Sequence, residues 1–251
     1  MISKNKIKQI HSLKQKKYRD ELNLFIAEGP KTVGDLMHRK TPKLIVATHE
    51  WLERNHDKIK KECEVCEVSS EELSTVSLLK SPQQVLALFP IINNDEQQLS
   101  AEGIYIALDG VQDPGNLGTI IRIADWFGIK EIVCSHDTVD VYNPKVVQAT
   151  MGSIARVNIR YVNLQDFIRN IKGKMPIYGT LLNGENIYKK SLTSNGIIVM
   201  GNEGNGISPE IRALLDSPLL IPTFQQSKDK ADSLNVAVAT AIVCSEFRRN
   251  V

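Results

Sequence analysis

Segment 108–129 of this chain combines residue types that could position a reacting group. A strand is predicted to end at Asp109, and a Pro-Gly turn leads from it into a helix. Asn116 can cap that helix, and the free N–H groups at a helix start favour an anion such as an RNA phosphate. Arg122 lies between two isoleucines. Its guanidinium is therefore either held in a structural ion pair, with Asp125 for example, or aimed into a cleft.

Two further segments place polar side chains after predicted strands. In 197–208 a strand enters a glycine-rich loop that carries Glu203, although an ordinary turn has the same composition. In 221–242 a polar loop leads to Ser233 and Asn235 at the start of an apolar helix, which Ser233 or Asp232 can cap. Because α/β proteins bind ligands at the carboxyl ends of their strands, all three segments are predicted to face one cleft. The alternative is that Ser233 and Asn235 only cap the last helix.

Several familiar sites lack their motifs. The glycines form neither the dinucleotide-binding nor the P-loop pattern, and there is no Ser-His-Asp arrangement. Cys63 and Cys66 form a lone CxxC that His49 and His56 could nominally complete to a zinc site. Both cysteines fall in a predicted strand, where positions three apart point to opposite faces. Two ordinary thiols and no metal are therefore predicted.

The composition of the 251 residues excludes a disordered or fibrous chain, with 42% hydrophobic and 24% charged residues and a net charge of +2. No run approaches the roughly 18 apolar residues of a membrane helix, and no signal peptide is visible. A soluble, cytoplasmic protein is expected. Residues 1–19 contain seven Lys or Arg and no acid. This cluster favours contact with phosphate, although a solvated helix face would have the same charges.

Alternating elements predict two α/β domains. Residues 4–17 have the spacing of one amphipathic basic helix, and short strands and helices alternate from there to Phe89. A polar stretch follows, so we predict a first domain over 1–92, a linker over 93–103 and a second domain over 104–251. Continuous apolar strands between helices predict a mostly parallel, two-sided sheet in the second domain. These strands are predicted near 104–108, 131–134, 175–180 and 197–200, with a short one at 221.

The last predicted helix, LNVAVATAIVC (234–244), is apolar on nearly every face. Such a helix has to be covered on all sides. The rest of the monomer can bury one side, and we expect a second subunit to cover the other.

In this order and spacing the three segments resemble the motifs of the SpoU (TrmH-type) RNA 2'-O-methyltransferases of the SPOUT superfamily. The matching stretches are LDGVQDPGNLGTIIRIADWFG, VMGNEGNGIS and IP…SLNVAVATAI. KYRDELNLFIAEGPKTV (17–33) is similar to the substrate-binding domain of many members, which itself is similar to RNA-binding ribosomal proteins. The resemblance implies a small N-terminal α/β domain, a C-terminal α/β SPOUT domain with a parallel sheet and a trefoil knot, and a homodimer.

The resemblance also implies S-adenosylmethionine as methyl donor, RNA as partner and no metal. The residues that match the donor pocket are Thr180, Leu181, Met200, Gly201, Asn202, Gly204, Ile221, Pro222 and Leu234. The residues that match the catalytic and substrate-facing set are Asn116, Arg122, Glu203, Ser233 and Asn235. The basic residues expected to contact RNA are Lys14, Lys17, Arg19 and Lys31.

Arg122 is the implied activator of the ribose 2'-hydroxyl. Because a guanidinium is effectively always protonated, we expect it to grip the target phosphate and lower the pKa of the hydroxyl, and the phosphate to accept the proton. Asn116 would position Arg122 or the ribose, and Glu203 would orient neighbouring loop groups. Ser233 and Asn235 would hydrogen-bond the RNA or the donor.

The chain departs from the family pattern in two places. Ten residues, 223–232, separate IP from SLN and contain two lysines and no glycine, where members usually have a shorter link. Ile123 stands where many members have Thr or Ser.

Three functions stay open at this point. The favoured one is methylation of a ribose 2'-hydroxyl in structured RNA, with ribosomal RNA preferred to transfer RNA. A non-catalytic RNA-binding or assembly factor of the same fold would bind RNA without methyl transfer. A nucleotide-dependent metabolic enzyme of doubly wound fold would bind its cofactor without RNA.

Overall fold

Apolar strands that alternate with helices form two sheets of different kinds. The computed structural model describes residues 2–92, 99–225 and 232–249. The chain divides into two compact units, Met1–Asn93 with Asp140–Arg156, and Asn94–Val139 with Val157–Val251. The first unit therefore includes a stretch from the middle of the sequence. Residues 93–98 of the predicted linker lie outside the described residues.

The elements are numbered in chain order. The helices are α1 (Lys4–Ser12), α2 (Lys16–Leu22), α3 (Pro30–Met37), α4 (His49–Asn55), α5 (Ser70–Val76), α6 (Pro114–Trp126), α7 (Pro144–Ala149), α8 (Leu164–Ile171), α9 (Pro209–Arg212) and α10 (Val236–Phe247). The strands are β1 (Leu24–Glu28), β2 (Leu44–Ala47), β3 (Glu64–Glu67), β4 (Val85–Pro90), β5 (Ile104–Asp109), β6 (Glu131–Ser135), β7 (Asn158–Val162), β8 (Ile177–Asn186), β9 (Gly196–Gly201) and β10 (Ser217–Leu220). Short 3-10 helices lie at His56–Lys58, Ser153–Ala155 and Ile187–Lys189, after α4, α7 and β8.

The first unit is built on a four-stranded sheet in the order β1-β4-β2-β3. β4 is antiparallel to both neighbours, whereas β2 and β3 are parallel. Ile10 and Leu13 from the basic N-terminal segment pack into the core of this sheet with Ile26 and Leu88. The single helix predicted over 4–17 is wrong. Gln15 is extended (φ −96°, ψ 134°) and separates α1 from α2.

The stretch Asp140–Arg156 is packed into the first unit by polar and aromatic contacts. The Tyr142 hydroxyl donates to the Ile92 carbonyl at 3.0 Å and accepts from the Ile92 N–H at 3.1 Å. The Tyr142 ring lies 4.6 Å from the Phe25 ring. Farther along, Arg156 Nη1 donates to Asp35 Oδ2 at 2.9 Å. These contacts fix the stretch at both ends.

A buried ion pair also connects the stretch Asp140–Arg156 to the N-terminal part of this unit. Arg19 is only 2% exposed, and its Nη2 lies 2.5 Å from Asp140 Oδ2. Its Nη1 donates to the carbonyls of Leu13 at 2.8 Å and Lys14 at 2.9 Å. The guanidinium is thus paired and hydrogen-bonded, as a buried charge has to be.

The second unit contains a six-stranded sheet in the order β10-β8-β9-β5-β6-β7, and every neighbouring pair is parallel. This confirms the predicted parallel sheet. β7 was not predicted because it is an edge strand in which every residue is half-buried, so its sequence lacks an apolar run. β8 extends to Asn186, well beyond the predicted 175–180, and β10 ends one residue before Ile221. The trefoil knot stays a prediction.

α6 and α10 lie side by side in this unit and run in the same direction. Asn235 Nδ2 at the start of α10 donates to Asn116 Oδ1 in the first turn of α6 at 2.9 Å. After the other ends, Arg248 Nε donates to the Phe127 carbonyl at 3.1 Å. Val238 on α10 is still 50% exposed. The monomer therefore leaves part of this apolar helix uncovered. Within the described ranges, no helix combines the length and apolar character needed to cross a membrane.

Candidate active site

The carboxyl ends of β5 and β9 meet at one edge of the six-stranded sheet. Asp109, the last residue of β5, is paired in register with Gly201, the last residue of β9. Because the strands are parallel, the loops that follow them leave from the same edge. One loop carries the first motif and the other carries the glycine-rich second motif, as the sequence predicts.

Asn202 and Asp109 tie these two loops together. Asn202 Nδ2 donates to the Gly110 carbonyl at 2.7 Å, and its Oδ1 accepts from the N–H groups of Gly204 and Asn205 at 2.9 and 3.0 Å. Asp109 Oδ2 accepts from the Ser208 N–H at 2.7 Å. The Asn202 side chain is thus engaged in holding the loops. This side chain positions the two loops, and the donor contact expected for Asn202 stays a prediction.

Three of the five predicted catalytic residues form one hydrogen-bonded chain. Asn116 Nδ2 donates to Glu203 Oε1 at 2.9 Å, and Asn116 Oδ1 accepts from Asn235 Nδ2 at 2.9 Å. Asn235 Oδ1 in turn accepts from the N–H groups of Ala237 and Val238 at the start of α10. An ionised carboxylate only accepts hydrogen bonds, so Glu203 fixes the orientation of both amides. Each of the three motif segments contributes one member.

Carboxylates already occupy the start of α6. Asp113 Oδ1 accepts from the Asn116 N–H at 2.8 Å, so Asp113 is the N-cap and the prediction that Asn116 caps this helix is wrong. Glu203 lies within 3.4 Å of the N–H groups of Gln112 and Asp113. The N–H groups of Gln112, Asp113 and Asn116 are therefore already bound to carboxylates of the chain. Asp before Pro at the first helical position was the overlooked signal.

The cap of α10 is one of the residues that the sequence offers for this position. Asn235 is the N-cap, whereas Ser233 lies two residues earlier and is exposed. Because the Asn235 oxygen caps the helix while its amide group reaches Asn116, this residue combines both roles that the sequence left as alternatives.

Arg122 lies apart from the hydrogen-bonded chain. It is exposed on α6, six residues beyond Asn116, which corresponds to about 9 Å along the helix axis. In the described ranges its guanidinium makes no hydrogen bond or ion pair, so the alternative of a pair with Asp125 is not supported. Trp126, one turn further along the same face, is 85% exposed. Arg122 therefore lies on an exposed face of α6.

The residues predicted for the donor pocket lie along β8, β9 and the segments after β9 and β10. The pairing of β8 with β10 jumps from Gly179 to Glu185, so Thr180 and Leu181 belong to a stretch that leaves the regular register. Thr180 Oγ1 contacts Met200 Sδ at 3.8 Å, and Met200 is buried. This stretch borders β9 just before the glycine loop.

The remaining predicted donor residues differ in exposure. Leu234 is 50% exposed, Ile221 and Pro222 are half-buried, Gly201 is buried and Gly204 is exposed. Residues 226–231 of the long link 223–232 lie outside the described residues. The structure therefore describes both ends of the third motif, and the middle of the link stays untested.

The predicted RNA-binding residues do not behave alike. Lys14, Lys17 and Lys31 are exposed, and Lys31 pairs only at 3.5 Å with Asp35. Arg19 is buried and fully engaged with Asp140 and two carbonyls. Its guanidinium is not available to a phosphate, so its expected RNA contact is replaced by a structural role.

The CxxC cysteines do not lie in one strand, so the prediction that both fall in a strand is wrong for Cys63. Cys63 is buried just before β3, and burial raises the pKa of its thiol to about 11. Cys66 lies within β3 and is half-buried. In the part of the chain that the structure describes, no three His, Cys, Asp or Glu side chains are grouped to hold a metal ion.

Two known families match this chain. Residues 103–245 match the SpoU rRNA Methylase family, and residues 4–87 match the MRM3-like substrate binding domain. The two matches cover nearly the whole chain and meet near the predicted linker.

Full-length similarity to known proteins agrees with these matches. A Bacillus subtilis protein named 23S rRNA (guanosine(2553)-2'-O)-methyltransferase RlmP is 32% identical, over 97% of this chain and 96% of that protein. A solved TrmH-family structure from Porphyromonas gingivalis is 39% identical, with a TM-score of 0.88 over 100% of both chains. An AdoMet-bound rRNA methyltransferase from Sinorhizobium meliloti is 32% identical, with a TM-score of 0.86 over 100% of this chain and 97% of that one.

Proposed function

This chain belongs to the SpoU rRNA methylase family, and we propose that it transfers a methyl group from S-adenosylmethionine to a ribose 2'-hydroxyl of ribosomal RNA. The observation that carries this proposal is the hydrogen-bonded chain Asn235–Asn116–Glu203, because it unites the three motif segments at the edge where ligands bind in parallel sheets. The Bacillus subtilis relative is named as a methyltransferase of a guanosine in 23S rRNA. A guanosine in 23S rRNA is therefore the first substrate to test. The enzyme would act in the cytoplasm, where ribosomal RNA is modified.

The segments after β9 and β10 fit the methyl donor. Leu234, Ile221 and Pro222 present apolar surface that suits an adenine ring, and the neighbouring Ser233 hydroxyl is exposed. When bound, S-adenosylmethionine supplies a sulfonium methyl group that a ribose oxygen can attack. The residues of this chain have to align the hydroxyl and remove its proton.

Alignment is the task for which the Asn235–Asn116–Glu203 chain is suited. Each amide nitrogen carries two hydrogens, and only one of each is used within the chain. The remaining N–H groups of Asn116 and Asn235 are available to oxygens of the RNA. Orienting two reacting groups in this way can supply a large part of an enzymatic rate. Arg122 would hold the target phosphate, lower the pKa of the 2'-hydroxyl and let the phosphate accept the proton.

The proposal is tested with purified protein, S-adenosylmethionine labelled in the methyl group, and total RNA from a strain that lacks the gene. We expect label in one ribosomal RNA species, at a single 2'-O-methyl position. Label in transfer RNA would overturn the substrate assignment. Binding of RNA without any transfer, to rRNA or to ribosomal precursors, would favour a non-catalytic assembly factor.

Removing the donor of the hydrogen bond between Asn116 and Glu203 should lower activity strongly, and exchanging donor and acceptor should restore part of it. In Asn116→Asp an oxygen replaces the amide that donates to Glu203, so two carboxylates face each other. We expect methyl transfer to fall roughly 100-fold, as when a hydrogen bond to a charged group is lost at an active site. In the double variant Asn116→Asp/Glu203→Gln, the new amide at 203 can donate to the carboxylate at 116.

The matched control for this pair is Glu210→Gln, which removes an exposed carboxylate on α9. Initial rates of label transfer are measured for the wild type, Asn116→Asp, the double variant and Glu210→Gln. If the double variant is no more active than Asn116→Asp alone, the 116–203 hydrogen bond does not orient the site.

The exposed apolar surface of α6 and α10 supports a homodimer. Trp126 is 85% exposed and Val238 is 50% exposed, on helices that lie side by side. Large apolar side chains left in water are the kind of surface that an interaction site covers. Arg122 shares the exposed face with Trp126, so a dimer through this face would bring Arg122 to the partner.

Trp126→Glu is expected to convert the dimer into a monomer. The carboxylate would have to be desolvated in an apolar interface, which is costly without a partner charge. Sedimentation velocity should show the mass halved. Phe224→Glu is the matched control because Phe224 is also 85% exposed but lies outside both helices. A wild-type protein that sediments as a monomer would contradict the proposed interface.

A further inference from the structure

A pocket in the first unit has no role in the proposed reaction. It has a volume of about 320 Å³, which is at the lower end of the roughly 300–1,000 Å³ found for ligand pockets. The end of β1, the residues after α5 and the helix α7 form its walls. The lining residues are Ile26, Glu28, Leu78, Leu79, Pro144, Lys145, Val147, Gln148 and Ala149. Most of this surface is apolar, and one carboxylate is placed in it.

Glu28 is that carboxylate, and it is only 6% exposed. One oxygen accepts from the Ser77 hydroxyl and the other from the Leu78 N–H at 3.0 Å. A carboxylate offers about four acceptor positions, so about two are left for a ligand. Burial raises the pKa of Glu28, which means that its charge lacks sufficient compensation in the free protein. A ligand that donates two hydrogen bonds would supply it.

Basic side chains lie near this carboxylate. Lys14 and His11 are close enough to lower the pKa of Glu28 by their charge, in opposition to the larger effect of burial. Lys145 lines the pocket and is exposed. Lys14 also belongs to the basic N-terminal segment predicted to meet RNA. The pocket therefore combines apolar walls, an acceptor inside and cations around it, which suits a nucleotide with its base inside and its phosphates outside.

We propose that this pocket binds an unpaired guanine of the substrate RNA, with Glu28 accepting hydrogen bonds from N1–H and the N2 amino group. The assignment rests on the proposed RNA substrate. Single-stranded RNA is commonly read by bases that leave the stack and are hydrogen-bonded on their Watson–Crick edge. Among the four bases, only guanine presents two adjacent N–H donors on that edge, and these match the two oxygens of a carboxylate. Glu28 is then a specificity-determining residue away from the reacting ribose.

The test measures binding of labelled pentanucleotides by the full-length protein without methyl donor, using fluorescence anisotropy at one fixed salt concentration. The probes are UUGUU and the same sequence with adenine, inosine or 2-aminopurine at the centre. Inosine lacks the N2 amino group and 2-aminopurine lacks N1–H. We expect inosine and 2-aminopurine to weaken binding about tenfold each, because each removes one hydrogen bond to a charged group, and adenine to weaken it further, because it lacks both donors. Equal affinities, or no binding of the guanine probe, would overturn the proposal.

Glu28→Gln tests the residue itself. The glutamine oxygen can still accept from the Leu78 N–H, but its amide faces the guanine donors, so the preference for guanine over inosine should disappear. Glu21→Gln is the matched control, because Glu21 is exposed on α2 and should leave the preference unchanged. The probe substitutions on wild-type protein keep the test valid if Glu28→Gln is unstable. Labelled rRNA without guanine preference would reject the pocket alone, and guanine preference without labelling would reject the reaction alone.

Discussion

Replacing Arg122 by alanine is expected to lower the rate of methyl transfer by roughly 10²–10³-fold, the usual effect of removing a donor that stabilises developing negative charge. The exposed guanidinium makes no hydrogen bond or ion pair within the described residues, so the substitution leaves no buried group unpaired. The folded structure should therefore persist. Single-turnover rates with labelled S-adenosylmethionine measure the effect, and equilibrium binding of the donor should stay unchanged.

Two controls separate the role of Arg122 from a general effect of charge. Lys130→Ala removes an exposed cation shortly after α6 and should retain full activity. Arg122→Lys keeps the charge but loses the planar fork that grips phosphate, so its rate should lie between wild type and Arg122→Ala. Full activity of Arg122→Ala would exclude the proposed phosphate grip and leave the amide–carboxylate chain as the site of catalysis.

Asp140→Ala is expected to lower the free energy of unfolding of the first unit by about 3 kcal/mol, because it leaves a buried charge without its partner. Arg19 is 2% exposed, and Asp140 is its only carboxylate partner among the described ion pairs. The carbonyls of Leu13 and Lys14 remain, which keeps the expected loss at the lower end of the usual range. Urea unfolding followed by circular dichroism measures the shift in midpoint.

The exposed pair Lys31–Asp35 provides the comparison for this experiment. Its atoms are 3.5 Å apart and Lys31 is well exposed, so Lys31→Ala should change stability by at most about 1 kcal/mol. The double variant Arg19→Met/Asp140→Leu should be more stable than Asp140→Ala, since it removes the unpaired charge. An unchanged midpoint for Asp140→Ala would show that the buried pair does not hold the stretch Asp140–Arg156 in the first unit.

Periodicity and motif order were sufficient to predict the parallel sheet and the positions of its central strands. β5 and β9 are buried and apolar throughout most of their length, so their sequences carry a strong signal. β7 was not predicted because the residues of this edge strand are only half-buried, so its sequence has no continuous apolar run. The break between α1 and α2 was missed for a related reason. The extended residue Gln15 interrupts the helix but does not alter the apolar spacing of Ile10 and Leu13.

The residues of the site could be predicted where the residue type and the motif indicate the role. They could not be predicted where the role depends on a contact with a residue distant in sequence. Asn116, Glu203 and Asn235 were expected together, and the structure joins them in one hydrogen-bonded chain. Arg19 was assigned to RNA because a basic cluster looks alike whether it is exposed or paired. Its partner, Asp140, is far away in sequence, so only the fold reveals the ion pair.

The discontinuous first unit has a consequence for synthesis on the ribosome. Its N-terminal residues leave the ribosome early, but Arg19 receives its carboxylate only when Asp140 has been made. At roughly 5–20 residues per second, this delay lasts several seconds. During that interval, folding of the segment around Arg19 would bury its charge without a carboxylate partner. The first unit can therefore be completed only after residues 140–156 have been translated. A gene truncated at the linker would encode residues 1–92 without this stretch, and so without part of the first unit.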